Sequence, residues 1–451
     1  MPIGLPSDLN FAPKKAVPRG VRSYRNNLST IGGIPSAGLT DYLKFDIPTG
    51  RYGTYLDTSA SYLQFKVTAG ATGDLYIDGS AFAFFQRFTV LSGGQTLEDI
   101  SCYNAFANML IDAQVSPAVR QCSGNVHMGC GSDAGTNQLN ILRQGVTIAA
   151  GTSQVFCLPL VSGFFANLGK YLPVGAIQND LRLEIQLENQ NNAVINVTTN
   201  GTGWSVTEAN LMLTFVELEG EVQKMIDAST GGKYTISSET WRWYGNTVSG
   251  TGSQDNLLIP ARSSSVKGLI GFYRPAYAQN NFIYAAQSHR VNPFYHASNS
   301  CSLQFAIGSQ LYPNAPMRSA AEVFTEVQRY FHSLGSTDVR GCITQNNWNV
   351  ISDAVTTNVY PLVVGTSSAA NVASHFNTLG TGIFAINLDS VSNRSDVMSS
   401  GVSTLNQNIT MNATYPSTYT TANANKQLRV DVWAHLDMIL AIENGIITVQ
   451  I

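Results

Sequence analysis

The sequence has unusually little charge. Only 12% of its 451 residues are Asp, Glu, Lys or Arg, about half of the roughly 25% that is typical of a soluble domain. The 26 basic and 29 acidic residues leave a formal net charge of -3, whereas hydrophobic residues make up 44%. A disordered chain needs low hydrophobicity and high net charge, and a nucleic-acid coat needs an excess of basic residues, so both classes are excluded. The remaining class is a large globular protein with few solubilising charges.

Cysteines and long apolar runs are also scarce. The sequence has six cysteines and no C-x-x-C pair, which excludes a disulfide scaffold and predicts free thiols in a reducing compartment. No stretch reaches the roughly 18 uninterrupted apolar residues of a membrane-spanning helix. The first residues lack the apolar core of a secretory signal peptide. We therefore expect neither secretion nor membrane insertion.

Catalytic and metal-binding motifs are missing. The sequence contains no G-x-S-x-G, no H-E-x-x-H and no G-x-x-x-x-G-K-[ST]. Cys122, His127 and Cys130 are close together in sequence, but a fourth ligand is missing and their spacing matches no common metal site. We therefore predict a protein that is not an enzyme and that needs neither a metal nor another cofactor.

The remaining titratable residues have structural interpretations. The adjacent carboxylates Glu98 and Asp99 lie near a predicted strand end, where a solvated pair is a better interpretation than an acid–base dyad. His435 alternates with apolar residues and shares a predicted strand face with Asp431 and Asp437. We expect His435 to form an ion pair there.

Basic residues are concentrated at the N-terminus. Residues 1–39 contain five basic groups, one acid and five prolines, and the prolines disfavour regular structure. The basic residues are Lys14, Lys15, Arg19, Arg22 and Arg25. Two interpretations remain open: a flexible arm that contacts nucleic acid or a neighbouring subunit, or a solvated, frayed terminus.

Strand patterns dominate the rest of the sequence. Apolar and polar residues alternate in Leu181–Leu187 and in Val430–Met438, which is the period of two of a half-buried strand. Asn444 and Gly445 suit a tight hairpin turn, whose two central positions both need positive φ. Further strand-like runs are Tyr62–Thr68, Phe85–Leu91, Gln154–Leu160, Leu211–Leu218, Val266–Tyr273, Ser302–Ile307 and Gly382–Leu388.

Two segments have the apolar period of a helix. Residues 102–115 place apolar side chains on one face behind Ser101, which we predict as the N-cap. Residues 320–334 carry a second apolar stripe, and Ser319 and Glu322 have the spacing of a capping box. Both stripes are typical of core contacts.

The order of these elements repeats. A strand, a helix and three further strands occur in the first half and again in the second. The offset is 217 residues between Phe88 and Phe305 and 228 residues between Val155 and Ile383. A nearly constant offset predicts a duplicated domain. We predict an arm at 1–39, one domain at 40–227, a polar linker at 228–235 and a second domain at 236–451.

The predicted fold class is all-β. About eight strands per half, sparse helix and long connections favour a Greek-key sandwich or jelly roll in each half. We therefore expect two tandem eight-stranded jelly rolls with one short helix in each.

Three stretches resemble a known family. They are FQRFTVLSGGQTLEDISCYNAFANMLIDAQ, LPLVSGFFANLGKYLPVGAIQNDLRLEIQLE and the ending LRVDVWAHLDMILAIENGIITVQI. All three are similar to double jelly-roll major capsid proteins, such as those of polinton-like viruses, virophages and related DNA viruses. The resemblance extends from about Tyr42 to Ile451.

The resemblance implies a structural role in the virion. In this family three chains form a pseudo-hexagonal trimer, and trimers tile an icosahedral shell that is assembled inside the host cell. The implied partners are further copies of the chain, penton and minor capsid proteins. The basic arm would lie on the inner side, with a weak contact to the genome or an inner layer. The alternative is a tandem β-sandwich that binds carbohydrate at a surface, and a β-sandwich hydrolase is a further rival.

Overall fold

Strands make up most of the residues that the computed structural model describes. These residues are 21–34, 41–116, 119–130, 144–166, 168–189, 193–195, 203–248, 254–275, 302–332, 350–351, 378–379, 382–389, 400–414 and 428–451. The strands of the first half are β1 (Arg22–Ser29), β2 (Tyr42–Ile47), β3 (Thr54–Ala69), β4 (Leu75–Asp78), β5 (Phe85–Ser92), β6 (Gln95–Ser101), β7 (Gln144–Ile148), β8 (Ser153–Pro159), β9 (Leu181–Leu187), β10 (Val194–Ile195) and β11 (Trp204–Glu217).

The second half has a matching series. Its strands are β12 (Tyr234–Val248), β13 (Gln254–Ile259), β14 (Val266–Pro275), β15 (Ser302–Ile307), β16 (Gln310–Met317), β17 (Val350–Ile351), β18 (Thr378–Leu379), β19 (Ile383–Asn387), β20 (Ile409–Thr414), β21 (Leu428–Glu443) and β22 (Ile446–Gln450). The longer helices are α1 (Tyr103–Gln114), α2 (Gly220–Thr230) and α3 (Ala320–Tyr330). Short helical turns are Ala81–Phe84, Arg120–Gly124, Asn125–Met128, Gly163–Ala166 and Val174–Ala176.

The same strand order occurs in both halves. The first half has two four-stranded sheets in the orders β1-β11-β3-β8 and β2-β9-β5-β6. The second half has the orders β12-β21-β14-β19, where β22 also pairs with β21, and β13-β20-β15-β16. Every position in the first half therefore has a counterpart in the second, and all pairs are antiparallel. Apart from the hairpins β5–β6, β15–β16 and β21–β22, successive strands of these sheets alternate between the two sheets of their roll, which is the jelly-roll connection. The prediction of two eight-stranded jelly rolls is confirmed.

Alternating burial explains why these segments form paired sheets. In β9 the apolar side chains Leu181, Leu183, Ile185 and Leu187 are buried, while the polar residues between them are half-buried. In the core of the first roll, Phe65 contacts Phe85, with ring centroids 4.8 Å apart. Each fully buried side chain of this size stabilises the fold by about 1.5–3 kcal/mol before chain entropy is subtracted.

Two features predicted for the second roll, a hairpin turn and a helix capping box, are confirmed. The turn between β21 and β22 contains Asn444 with φ 52° and Gly445 with φ 80°, so both residues have the positive φ that the turn needs. At the start of α3, Ser319 accepts a hydrogen bond from the Glu322 backbone N–H. The Glu322 carboxylate accepts one from the Ser319 backbone N–H in return. This capping box stabilises the first turn of the helix.

The predicted helix limits need correction. The first helix spans Tyr103–Gln114, and its N-cap is Cys102 in a left-handed conformation with φ 51°. Ser101 was the wrong N-cap because it is the last residue of β6 and pairs with Arg87. The helix predicted over 320–334 ends at Tyr330. Residues 333 and 334 lie outside the described part of the chain.

A helix occupies part of the segment that we expected to be a polar linker. α2 spans Gly220–Thr230 and ends at Gly231, whose φ is 64°. Its sequence contains good helix formers such as Glu, Gln, Lys and Met. These residues favour a helix over an irregular linker. β12 already begins at Tyr234. In the described residues every strand pair lies within one half of the chain, and the domain limits themselves stay a prediction.

Regular structure also begins earlier than expected. The expectation that residues 1–39 are irregular is wrong for Arg22–Ser29, which form β1 and pair with β11 from Arg22↔Glu217 to Ser29↔Asn210. No proline interrupts residues 19–34, so the backbone N–H groups needed for this pairing are present. Tyr24 packs on Phe215 of β11, with ring centroids 5.6 Å apart.

Candidate functional site

The two rolls meet in a buried junction. β6 and the turn Gly163–Ala166 of the first roll face β12 of the second. The side chain of Phe106 in α1 packs between Trp241 of β12 and Trp433 of β21, with ring centroids 5.2 and 5.8 Å away. These aromatic contacts join the two cores.

A buried carboxylate lies at the centre of this junction. Glu98 of β6 is 2% exposed. Its Oε1 accepts hydrogen bonds from the Gly163 N–H at 2.9 Å and from Thr240 Oγ1 at 2.9 Å, and its Oε2 accepts one from the Phe164 N–H at 3.1 Å. Burial raises the pKa of Glu98, and the hydrogen bonds from Phe164, Thr240, Gly163 and Ser162 partly oppose that rise. Glu98 therefore links one side of the junction to the other.

The backbone at Gly163 passes very close to the second roll. A Cβ atom at this position would lie 1.4 Å from the carbonyl oxygen of Glu239. The Gly163 carbonyl also accepts a hydrogen bond from Ser238 Oγ at 2.6 Å. Glycine is needed here because only a residue without a side chain allows this approach.

The environment predicted for Glu98 from the sequence is wrong. We expected Glu98 and Asp99 to be a solvated pair, but Glu98 is buried in the junction and Asp99 pairs with Arg87 at 2.6 Å. The hydrogen-bond partners of Glu98 are 65, 66 and 142 residues away in the sequence. No local pattern marks such contacts.

A second group of polar residues lies beside the junction. His435 Nε2 is 2.9 Å from Glu239 Oε2, and Lys267 Nζ contacts the other oxygen of Glu239. His435 stacks on Trp241 with ring centroids 4.9 Å apart and planes 7° apart. His435 therefore contacts a carboxylate, as expected, but the carboxylate is that of Glu239 and not that of Asp431 or Asp437. A cleft of about 460 Å³ between the rolls is lined by this group.

The second roll also contains a buried ion cluster. Asp431, which is fully buried, lies 2.5 Å from Arg274 Nε and 2.9 Å from Arg429 Nε. Trp243 Nε1 donates a hydrogen bond to the same carboxylate at 2.8 Å. These contacts compensate a charge that would be costly to bury alone.

Two kinds of feature are absent from the described residues, a cluster of metal ligands and a helix that could span a membrane. Among them, no group of three or more His, Cys, Asp or Glu side chains is placed to hold a metal ion. Cys122 is exposed and Cys130 is buried. Within the same residues, no helix combines the length and apolarity needed to cross a membrane.

The five basic residues predicted for assembly fall into two groups. Lys14, Lys15 and Arg19 lie outside the described residues. Arg22 Nε lies 2.5 Å from Glu217 of β11, and the Arg25 guanidinium lies over the Tyr62 ring, 5.8 Å from its centroid. Arg22 and Arg25 therefore contact strands of their own roll, and a role of the five residues in assembly stays a prediction.

The fold is shared with solved structures over nearly the whole chain. The structure of PBCV-1 VP54 is similar to this one, with a TM-score of 0.60 and 13% identity, and the match covers 97% of this chain and 98% of VP54. The mavirus major capsid protein has a TM-score of 0.54 and 11% identity, and the match covers 100% of this chain and 95% of the mavirus chain. The Faustovirus major capsid protein has a TM-score of 0.54 and 12% identity, and the match covers 96% of this chain and 92% of the Faustovirus chain. The chain has a double jelly-roll fold.

The double jelly roll confirms the sequence resemblance at the level of the fold. No family model and no curated protein sequence matches the chain. The double jelly roll is therefore visible in strand order and three-dimensional structure at an identity of 11–13%.

Proposed function

We propose that this double jelly roll is a structural, non-enzymatic major capsid protein that forms pseudo-hexagonal homotrimers tiling an icosahedral virus shell. The observation that carries the proposal is the fold shared over nearly the full chain with the major capsid proteins of Faustovirus and mavirus. The protein is then a component of the virion, assembled inside the host cell.

The two similar rolls support this geometry. Three chains around a threefold axis arrange six rolls in a ring, and identical strand order makes neighbouring rolls similar in shape. The low charge also supports assembly, because the core of a protein interface is depleted in charged residues. A surface rich in neutral polar groups can be buried at a smaller desolvation cost than a charged one.

Partners and domain limits belong to the same proposal. Further copies of the chain are the main partner, and penton and minor capsid proteins complete the shell. The basic residues of the arm provide a weak inner contact with the genome or an inner layer. We keep the limits 1–39, 40–227, 228–235 and 236–451 as proposed functional units, with β1 belonging structurally to the first roll.

The carbohydrate-binding alternative gains no support from the similar structures. Among the similar structures are the PBCV-1 capsid and the major capsid proteins of Faustovirus and mavirus. A monomeric protein that bound glycans on an array would favour the alternative over the capsid proposal.

The mass in solution tests the capsid proposal. We expect light scattering on the full chain to give three times the 48.6 kDa of one chain over a wide concentration range, since obligate interfaces bury about 2,000–5,000 Å². Electron micrographs should show hexagonal blocks and shells. A monomer at all concentrations would contradict the proposal. Removing residues 1–20, which leaves β1 intact, should preserve trimers and reduce the yield of closed shells.

A further inference from the structure

An apolar groove lies where the two rolls and α2 meet. It has a volume of about 710 Å³, and its walls include Leu218 after β11, Ile226 of α2 and Ile236 of β12. Most of the lining is apolar. The volume is within the roughly 300–1,000 Å³ of pockets that bind small ligands, so the groove can accept a few side chains but not a folded domain.

Tyrosines give this groove a particular chemistry. Tyr55 of β3, Tyr171 and Tyr234 of β12 all line it, together with Pro173. Tyr171 is 52% exposed, so a ligand in the groove could contact its ring. Grooves lined by aromatic rings bind extended, proline-containing segments, because such segments lose little conformational entropy on binding and stack against the rings.

The chain itself brings such a segment to the groove. Val21 and Ser23 form part of the groove wall, so residues 1–20 are attached at that wall. The pairing of β1 with β11 begins at Arg22, and Pro18 has no N–H to donate to a strand partner. Ala16–Gly20 can reach about 15 Å in an extended conformation of about 3.1 Å per residue. A segment of this length is therefore long enough to span the groove from its point of attachment.

We propose that the groove is the docking site for the chain's own segment Ala16–Gly20, with Val17 and Pro18 placed against the tyrosines. The segment covers apolar surface between the rolls and fixes the start of the arm. The proposal is independent of capsid assembly, because it requires only one chain.

Charge at the rim does not decide the binding. Lys170, Lys233 and Asp57 lie on the lining, and Lys233 is already paired with Glu443 at 2.6 Å. The rim therefore carries both signs, and apolar contacts from Val17 are the main source of affinity.

Photo-cross-linking of the full chain tests the docking. Val17 is replaced by p-benzoylphenylalanine, and equal amounts of ¹⁴N- and ¹⁵N-labelled protein are mixed before irradiation. We expect cross-links within one chain to peptides containing Tyr171 or Ile226. A cross-linker at Ile3, farther from the wall, is the control and should not give these products. Products between chains, products elsewhere or an absence of products would overturn the proposal.

Two substitutions provide an independent readout in the full chain. Tyr171→Ala, at an exposed position, should lower the yield of the position-17 cross-link at least fivefold while the melting temperature stays close to that of the parent. Val17→Asp should raise the fluorescence of the apolar dye anilinonaphthalene sulfonate severalfold because the groove is uncovered, and Ile3→Asp should leave it unchanged. An unchanged cross-link yield in Tyr171→Ala, or equal fluorescence in the two Asp variants, would overturn the proposal.

Discussion

At the residue scale, Glu239 lies between a lysine and a histidine of the second roll. It contacts Lys267 of β14 and His435 of β21. Burial alone would raise the pKa of Glu239, but the hydrogen bonds and positive charges of His435 and Lys267 outweigh burial and hold that pKa well below its ordinary value of 4.5. A carboxyl with a lowered folded-state pKa stabilises the fold above its unfolded-state pKa, and this contribution is lost as the pH falls toward the folded-state value.

Glu239→Gln should therefore change the pH dependence of stability. At pH 7 we expect the variant to lose about 2 kcal/mol of unfolding free energy, since hydrogen bonds to charged groups contribute about 1.5–3 kcal/mol. The difference in unfolding free energy between variant and parent should shrink as the pH falls below about 4.5, because the charged Glu239 then stabilises the parent progressively less. Urea unfolding between pH 7 and pH 3 measures both effects.

The control for this prediction is a surface carboxylate. Glu208 pairs with Lys66 at 3.1 Å and is largely exposed. Glu208→Gln should change the unfolding free energy by less than about 1 kcal/mol at every pH. A Glu239→Gln deficit that stays constant down to pH 3 would show that the charge of Glu239 is not the cause.

At the element scale, the turn between β21 and β22 contacts the first roll. The carbonyl oxygen of Gly445 accepts a hydrogen bond from the Gln178 N–H at 2.8 Å. A Cβ atom on Gly445 would lie 2.6 Å from Cγ of Gln178. The turn therefore needs glycine both for its φ of 80° and for this close contact.

Gly445→Ala and Gly94→Ala separate the two requirements. Gly94 has a φ of 83° but nothing within 4 Å of its would-be Cβ atom. We expect Gly94→Ala to cost about 1–2 kcal/mol from the left-handed conformation alone. Gly445→Ala should cost about 1 kcal/mol more, because overpacking against Gln178 adds to the strain. If urea unfolding showed the same loss of unfolding free energy in both variants, the Gln178 side chain would be able to move away from the new Cβ atom at no energetic cost.

The range of each interaction decided what could be predicted from the sequence. The alternation in β9, the capping box at Ser319 and the turn at Asn444 depend on residues a few positions apart, and all three were predicted. The fold class followed from the repeated order of such elements. The role of Glu98 and the position of β1 depend on strands far along the chain, and both were missed. A groove built from at least five separate segments of the chain has no local signature at all.

At the scale of the whole molecule, the junction makes the two rolls one structural unit. Interfaces between domains of one chain often allow relative motion. Here, however, Phe106 packs against two tryptophans of the second roll, and Glu98 accepts a hydrogen bond from Thr240 across the junction. Because both contacts are buried, separating the rolls would expose apolar surface and remove the hydrogen bond that Glu98 accepts from the second roll. We therefore expect both rolls to unfold together.

Calorimetry of junction variants tests this coupling. The parent should show one transition, whereas Gly163→Ala should show two, because a Cβ atom would overlap the Glu239 carbonyl and force the rolls apart. Thr240→Val is a milder change that removes one hydrogen bond from Glu98, and it should cost about 1–3 kcal/mol. Thr247→Val, at an exposed position of the same strand, is the control and should cost less than about 0.5 kcal/mol. If Gly163→Ala kept a single transition at an unchanged temperature, contacts other than this junction would have to hold the rolls together.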